Sequence, residues 1–381
     1  MVPFGKPGKS DSWDVMATKA AQNSLQDAGI DYTRVQQAYV GCVYADSTAG
    51  QMALYPLGAT GIPIINVNNN CSTGSSALYL ARQAVESGIA DCVLALGFEQ
   101  MPRGAIDSVW PDRPRPMDMF ERRMHELQEP DGAPIAAQLF GGAGVAYMEK
   151  YGARLETFAK ISVKARRHAS QNPYAVFRDL VTLEEVLASP HIYGPLTRLQ
   201  CCPPTCGAAA AVVCSEDFAR MAGVRRPVTI LSQSLTTDLP STMGDRDMMK
   251  LVGYDMARQA VDEAYAGASV GPEDIDVVEL HDCFTSNELI SYEALRLVPE
   301  GGAERMVVNG DNTYGGRYVV NPSGGLLSKG HPLGATGLAQ CAELVWQLRS
   351  DAGPRQVSGA RTALQHNLGL GGACVVTIYQ A

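Results

Sequence analysis

A weak internal repeat constrains this chain more than any other feature, because two copies of one pattern must fold into two copies of one structure. Trp13 to Val43 reads as an amphipathic helix, a turn at Ala28-Gly29-Ile30 and an apolar run Ala38-Tyr39-Val40. Tyr254 to Cys283 repeats it, with Val270 matching Ile30, Ile275 matching Val35 and Leu280 matching Val40. A second block pairs Ile64-Ile65-Asn66 through Cys71-Ser-Thr-Gly74 with Val319-Val320-Asn321 through His331-Pro-Leu-Gly334, each followed by an Ala/Leu-rich helical pattern. Cys71 and His331 thereby occupy equivalent places. A third block pairs the apolar run Cys92 to Gly97 with Thr362 to His366.

Apolar strands alternating with helices of a dozen or more residues imply an α/β chain with mainly parallel sheets covered by helices. The related halves are expected at 1–100 and 227–381. Between them, 101–226 breaks the repeat with Pro- and Arg-rich stretches such as Arg113-Pro-Arg-Pro116, and is expected to be an inserted cap or loop domain that shapes substrate access. The repeat also exposes a gap. A strand at Val228-Thr-Ile-Leu231 precedes the helix of the second half, whereas its counterpart would lie ahead of Met1. The first-half sheet is therefore expected to lack a strand, as a start at an internal methionine would produce. Five complete strands there, one of them from residues 1 to 12, would contradict this.

With 381 residues the chain can bury large cores and shape a deep site. A net charge of -9 argues against binding nucleic acid or an acidic membrane surface through overall electrostatics. No apolar run is long enough to span a bilayer, and the first residues lack the apolar core of a signal peptide, so a soluble, unexported protein is expected. The ten cysteines lack small-domain spacing and fit free thiols in a reducing compartment. The cluster Cys201-Cys202-Pro-Pro-Thr-Cys206 has no second Cys/His pair at finger-like spacing, so no metal site is expected.

Cys71 follows a strand and the polar turn Asn66 to Asn70, and precedes Ser72-Thr-Gly-Ser-Ser76 where a helix begins. A sulfur near a helix N-terminus meets unsatisfied N–H groups and a macrodipole that favour a thiolate. The plain alternative is a buried cysteine in a small-residue turn. Its partner is His331, in Ser328-Lys-Gly-His-Pro-Leu-Gly334, because a pseudo-twofold would bring both helix N-termini to a shared centre where an imidazole can accept the thiol proton. Otherwise His331 is a turn histidine ahead of Pro332. His281-Asp282-Cys283-Phe284 follows a strand over Asp276 to Leu280, where catalytic groups of α/β folds collect. A second thiol there can shuttle protons, and His281 can hold a water or donate to an oxyanion. The bland reading is a half-buried strand end with an incidental cysteine. The glycine-rich Gln365 to Ala373 misses the dinucleotide fingerprint, since Cys374 takes its last glycine, and reads as close-approach backbone supplying N–H groups.

At these residues the chain resembles the thiolase superfamily, and specifically the sterol carrier protein thiolases. Asn68-Asn-Asn-Cys-Ser-Thr-Gly-Ser75, His281-Asp-Cys-Phe284, Asn321-Pro-Ser-Gly-Gly325, Gly330-His-Pro332 and His366-Asn-Leu-Gly369 look like that subfamily's motifs, and the likeness runs over nearly the whole chain. The resemblance implies a layered α-β-α-β-α thiolase fold of two duplicated halves plus an inserted loop domain. It implies Cys71 as acylated nucleophile, His331 as its base, Cys283 as acid/base cysteine, and His281 in place of the usual asparagine that binds an oxyanion-hole water. The oxyanion donors would come from His281 and His331 in one hole and from the N–H groups of Cys71 and Gly369 in a second.

The implied reaction is retro-Claisen cleavage of a 3-ketoacyl-CoA with coenzyme A, in degradation of fatty acyl, branched or sterol side chains. Coenzyme A enters as substrate, and no tightly bound cofactor is expected. A homodimer or tetramer of dimers is expected, in bacterial cytoplasm, with a peroxisome as the alternative. The competing readings are a catalytically idle thiolase-like scaffold subunit, and a lyase or retro-aldolase on the same fold.

Overall fold

The computed structural model of the protein describes residues 1–104, 106, 108–110 and 112–381. In chain order the strands are β1 (Gln37–Gly41), β2 (Ile64–Val67), β3 (Cys92–Gln100), a hairpin of β4 (His191–Tyr193) and β5 (Leu196–Thr197), then β6 (Cys206–Cys214). They continue with β7 (Thr229–Thr236), β8 (Val277–Glu279), β9 (Val319–Val320), β10 (Thr362–Gly369) and β11 (Ala373–Gln380).

The repeat is visible in the sheets. One runs β2-β1-β3-β6 and the other β9-β8-β10-β11-β7, so the first four strands of each correspond in order. In both, the inner trio is parallel and the next strand turns antiparallel, β6 on β3 and β11 on β10. The sheets are mixed rather than all parallel. The second gains a fifth strand, β7, antiparallel to β11. Among the described residues the first has no named strand in that place. Residues 2 to 5 only touch the end of β6, through Val2 N–H to the Ala208 carbonyl (3.0 Å) and a bridge between Gly5 and Cys206.

The helices repeat as well. Trp13–Ala28 buries Met16, Ala17, Ala20, Ala21 and Leu25, and Tyr254–Ala268 buries Met256, Ala257, Ala260, Val261 and Ala264, the same 3.6-residue face in each. Both end on a left-handed residue, Gly29 and Ser269, whose N–H groups satisfy the last carbonyls. These two helices lie outside the sheets. Thr73–Glu86 and Thr336–Arg349 pack between them, which gives the layers helix, sheet, helix pair, sheet, helix.

The two central helices meet at their first turns, and glycine makes that possible. A Cβ on Gly74 would stand 2.7 Å from the Gly334 carbonyl oxygen, and one on Gly337 would collide with the Ser75 hydroxyl and backbone nitrogen. Gly337→Ala should therefore destabilise the protein by about 1–3 kcal/mol through overpacking. An exposed helix site would instead gain about 1 kcal/mol from the same change. The shift of the urea midpoint at constant slope reads the sign.

The 101–226 segment differs from an independent cap in two ways. Its far end, β6, forms all nine pairs along β3 and belongs to the first sheet. The run Gly-Ala-Ala-Ala-Ala hid this strand, since alanine favours helix. The helices Asp118–Leu127, Ile135–Tyr151 and Leu155–Ala169 have no core of their own, because Phe120, Leu139, Phe140 and Phe158 share one cluster with Leu289, Tyr292, Leu326 and Leu364 of the second half.

Candidate active site

The site lies where the two central helices begin, between the strand ends. Cys71 is buried in the loop joining β2 to Thr73–Glu86, and His331 in the loop ahead of Thr336–Arg349. His281 follows β8, with Cys283 just ahead of the helix Thr285–Ala294. The structure thus brings together Cys71, His281 and His331, with Cys283 near enough to Cys71 for their charges to interact. One sulfur or ring nitrogen each from Cys71, His281 and His331 lie within 4.8 Å of one another, and the two imidazoles stand edge to face with centroids 5.1 Å apart.

Hydrogen bonds fix the tautomers. Thr336 Oγ1 donates its single proton to the Pro332 carbonyl (2.9 Å), so it accepts from His331 Nδ1 (2.7 Å). That leaves His331 Nε2 with its lone pair, buried and without a hydrogen-bond partner among the described residues. Ser75 Oγ donates to Asn367 Oδ1 (2.8 Å), which orients that amide so that Asn367 Nδ2 donates to His281 Nδ1 (3.0 Å). His281 therefore carries its proton on Nε2. One imidazole is a base and the other a donor.

Burial keeps both rings neutral: it drives His331 down to about 3, with Lys329 adding to the effect, and drives His281 well below the ordinary histidine value, with His331 and His366 adding to it. His366, from the His366-Asn-Leu-Gly369 motif, accepts the backbone N–H of His281 on Nδ1 (3.5 Å).

Cys71 departs from the thiolate expected at a helix N-terminus. Burial pushes it up to about 12, and the backbone N–H groups of Leu370 and Cys71 itself only partly offset this. Desolvation wins because the loop seals the sulfur from water. At rest the pair is a neutral thiol beside a neutral imidazole, and charge develops only on attack. The thiolate absorbance of the native protein minus that of Cys71→Ala should stay flat from about pH 6 to 9 and grow above it. A step near neutrality would show the helix terminus outweighing burial.

Gly369 reaches the site as close-approach backbone. A Cβ there would run into the Asn69 carbonyl and lie 2.7 Å from the Ser72 hydroxyl, so only glycine lets the end of β10 press against the Cys71 loop. Asn70 Nδ2 donates to the Leu370 carbonyl (3.0 Å) and ties the two loops.

Several supporting residues carry no signal in the sequence that assigns them a role. Glu99, at the end of β3, accepts N–H bonds from Val43 (3.0 Å), Tyr44 (3.0 Å) and Gly334 (3.1 Å), joining both halves behind the site, and burial raises it to about 7. A carboxylate closing the apolar run Cys92 to Phe98 was its only signal. Asn367 stood in a quoted motif without a role. Cys202, whose spacing relates it only to metal binding, donates its N–H to the Cys283 carbonyl (2.8 Å), and burial and the neighbouring thiols Cys71 and Cys201 hold it well up. Cys283 is likewise pushed well up by burial, then by Cys202 and Cys71. Thr205, from the same stretch, accepts the His331 N–H (2.6 Å). The Cys201 to Cys206 loop is thus a wall of the active site.

Among the described residues, the group with metal-ligand spacing is Cys71, His281 and His331. With His281 protonated on Nε2 and Cys71 a thiol, that set as hydrogen-bonded suits proton transfer. Holding a cation would require a tautomer change and loss of the thiol proton.

Comparison with known proteins agrees with the fold and the motifs. The thiolase N-terminal domain pattern matches residues 1–217, and the thiolase C-terminal domain-like pattern matches residues 241–380. The chain belongs to the thiolase family. Within it, sterol carrier protein 2 of Oryctolagus cuniculus is 54% identical over 384 residues, covering 100% of this chain and 70% of that protein. An acetyl-CoA acetyltransferase of Methanothermobacter thermautotrophicus is 35% identical over 377 residues, covering 96% of this chain and 95% of that one. Among solved structures, human mitochondrial 3-ketoacyl-CoA thiolase in complex with CoA superposes with a TM-score of 0.73 at 18% identity, over 100% of this chain and 96% of that one. An Ltp2-ChsH2(DUF35) aldolase superposes with a TM-score of 0.83 at 24% identity, over 100% and 97%. These two likenesses bear on fold. Among the described residues no helix is long and apolar enough to cross a membrane.

Proposed function

We propose that this protein cleaves 3-ketoacyl-CoA thioesters with coenzyme A, reversibly, through an acyl-enzyme on Cys71. The observation that carries the reading is the unpartnered Nε2 lone pair of His331, held by Thr336 in a cluster with the Cys71 sulfur. His331 takes the thiol proton as the sulfur attacks the 3-keto carbon. The negative charge that develops on the keto oxygen meets His281 Nε2–H or the Cys71 and Gly369 N–H groups, each such donor being worth about 3 kcal/mol in a dry site. Carbon–carbon cleavage then expels the enolate of the shorter acyl-CoA, which takes its proton from Cys283. A second coenzyme A thiol gives its proton to Cys283 and attacks the acyl-enzyme, and His331 returns its proton to the departing Cys71 sulfur as the new acyl-CoA is released.

Acetoacetyl-CoA and a long or branched 3-ketoacyl-CoA, each with coenzyme A, test this by loss of the keto thioester. The expected result is cleavage that requires coenzyme A and survives excess chelator. Cleavage without coenzyme A would point to a lyase, no cleavage by folded protein to an idle subunit, and full loss with chelator to a metal on Cys71, His281 and His331.

A further inference from the structure

All ten cysteines are free thiols, and outside the active site two of them face each other, because the register of β3 on β6 puts Cys92 directly opposite Cys214. Opposite residues of an antiparallel pair project to the same side of a sheet, and both of these side chains pack in the apolar layer under the helix Trp13–Ala28. The backbone bonds show which kind of pair they form. Ser215 N–H donates to the Asp91 carbonyl (2.9 Å), so the adjoining pair, Asp91 and Ser215, is the hydrogen-bonded one. Cys92 turns its own backbone away from β6: its N–H donates to the Gln36 side chain (3.2 Å), and its carbonyl accepts the Gln36 N–H (2.9 Å). Cys92 and Cys214 are therefore a non-hydrogen-bonded pair, the closer kind, whose Cα atoms stand about 4.5 Å apart. A disulfide spans Cα separations of about 4.4–6.8 Å, so the sheet already holds the two residues where one can close. The Ser215 hydroxyl donates to the Asp91 carboxylate (3.0 Å) and fixes this end of the ladder, while Arg34, over the Phe218 ring (4.5 Å), favours the Cys92 thiolate.

We propose that Cys92 and Cys214 are a redox modification site, closing a reversible disulfide that staples β6 to β3, with a small-molecule disulfide such as glutathione disulfide as oxidant. Cys214, the half-buried member, attacks the oxidant as its thiolate, which forms a mixed disulfide and releases one glutathione. The Cys92 sulfur then attacks the Cys214 sulfur, the protein disulfide forms, and the second glutathione leaves. The two protons lost by the protein thiols end on the two glutathiones, and an excess of reduced thiol runs the same steps backwards. The bond closes a loop that contains the inserted helices from Asp118 to Ala188 and the Cys201 to Cys206 wall of the active site. Closing a loop of that length restricts the unfolded chain strongly, so the bond acts on stability. It lies at the opposite end of β3 from Glu99, which backs the active site; at about 3.4 Å per strand residue the separation is about 24 Å, and the catalytic thiols are out of its reach.

Burial holds Cys92 up to about 12, with Cys214 adding to the effect, and burial raises Cys214 as well, so the exchange is run at about pH 8.5 rather than at neutrality. The folded protein is incubated with excess glutathione disulfide, its remaining thiols are blocked with iodoacetamide, and it is digested without reductant. Peptide mapping should find the Cys92 and Cys214 peptides joined, two hydrogens lighter than the separate pair. The melting temperature should rise by about 5 °C and return on addition of dithiothreitol. Cys214→Ser should lose both the link and the rise, and Cys92→Ala should trap glutathione on Cys214. Mapping of the wild type decides the matter by itself where the buried Cys92 position does not tolerate substitution. Any result in which the two peptides stay separate overturns the proposal, whether Cys214 carries glutathione, remains a free thiol or links to Cys214 of another chain. A rise that survives in Cys214→Ser overturns the staple too, since other thiols then cause it.

Discussion

Cys71→Ala should lower coenzyme A-dependent cleavage of a 3-ketoacyl-CoA by at least about 10⁴-fold, with the protein still folded. Removal of a covalent nucleophile forfeits the whole two-step route, and losses of this size are usual for residues that act as one catalytic unit. Stability should change little by comparison. The Cys71 side chain belongs to a small satellite cluster with Met101 and Leu333, so truncation removes one sulfur from a minor core. Incubation with an acyl-CoA followed by peptide mapping separates the possibilities: wild type should carry the acyl group on Cys71 and the variant should carry none. Acylation at Cys202 or Cys283 in the wild type would move the nucleophile. Cys71→Ser is the sharper control, because a hydroxyl is far harder to ionise than a thiol already raised to about 12, and a single neutral imidazole at His331 must take its proton.

The duplicated architecture could be read from the sequence because the repeat is written in buried positions. The face Met16, Ala17, Ala20, Ala21, Leu25 and its partner Met256, Ala257, Ala260, Val261, Ala264 survive as a pattern since each must fill the same space against a sheet. The meeting of Cys71 with His331 followed from that symmetry. What stayed hidden depended on contacts between distant segments. Strand β6 is composed largely of alanine, and only its nine-residue ladder with β3 makes it a strand. The Thr336 hydroxyl and the Asn367 amide set the two tautomers through bonds that join separate loops, and no spacing announces such bonds. Cys202 comes close to Cys283 because Cys201 and Phe284 form an antiparallel bridge across the chain.

Burial decides the electrostatics of the site, and the expectation of a preformed thiolate failed on magnitude rather than direction. The helix terminus and the two N–H groups do favour charge on Cys71, but the cost of desolvating a buried anion is larger. The same sealing raises Cys202 and Cys283 and lowers His281, His331 and His366. With its thiols and imidazoles neutral at rest, the site takes up charge only as protons move. Below it, Asp282 is buried and accepts the Leu326 N–H (2.7 Å), and Lys164 pairs with Glu288 on the helix that begins just after Cys283. Buried pairs of this kind contribute position more than stability.

Cys283→Ala carries the second large effect, a fall in turnover of about 10²- to 10⁴-fold, the usual worth of a positioned acid or base. Acyl transfer from a simple acyl-CoA to Cys71 needs only the His331 pair and should persist, so the acyl-enzyme should form and then wait. Cleavage of a 3-ketoacyl-CoA differs, because the departing enolate needs a proton at carbon. A thiol held well above its ordinary pKa is an acid that is fully protonated when the enolate forms, and as a thiolate it is a strong base for the incoming coenzyme A. Cys202 is the rival for this role, a half-buried thiol beside the buried Cys283, its pKa likewise held well up. The paired variant Cys202→Ala separates them. If Cys283 is the acid/base, Cys202→Ala should keep most of the turnover. Should Cys202→Ala prove the more damaging with Cys283→Ala nearly intact, the proton is carried by the Cys201 to Cys206 wall, and the His281-Asp-Cys-Phe284 segment supplies only the oxyanion donor.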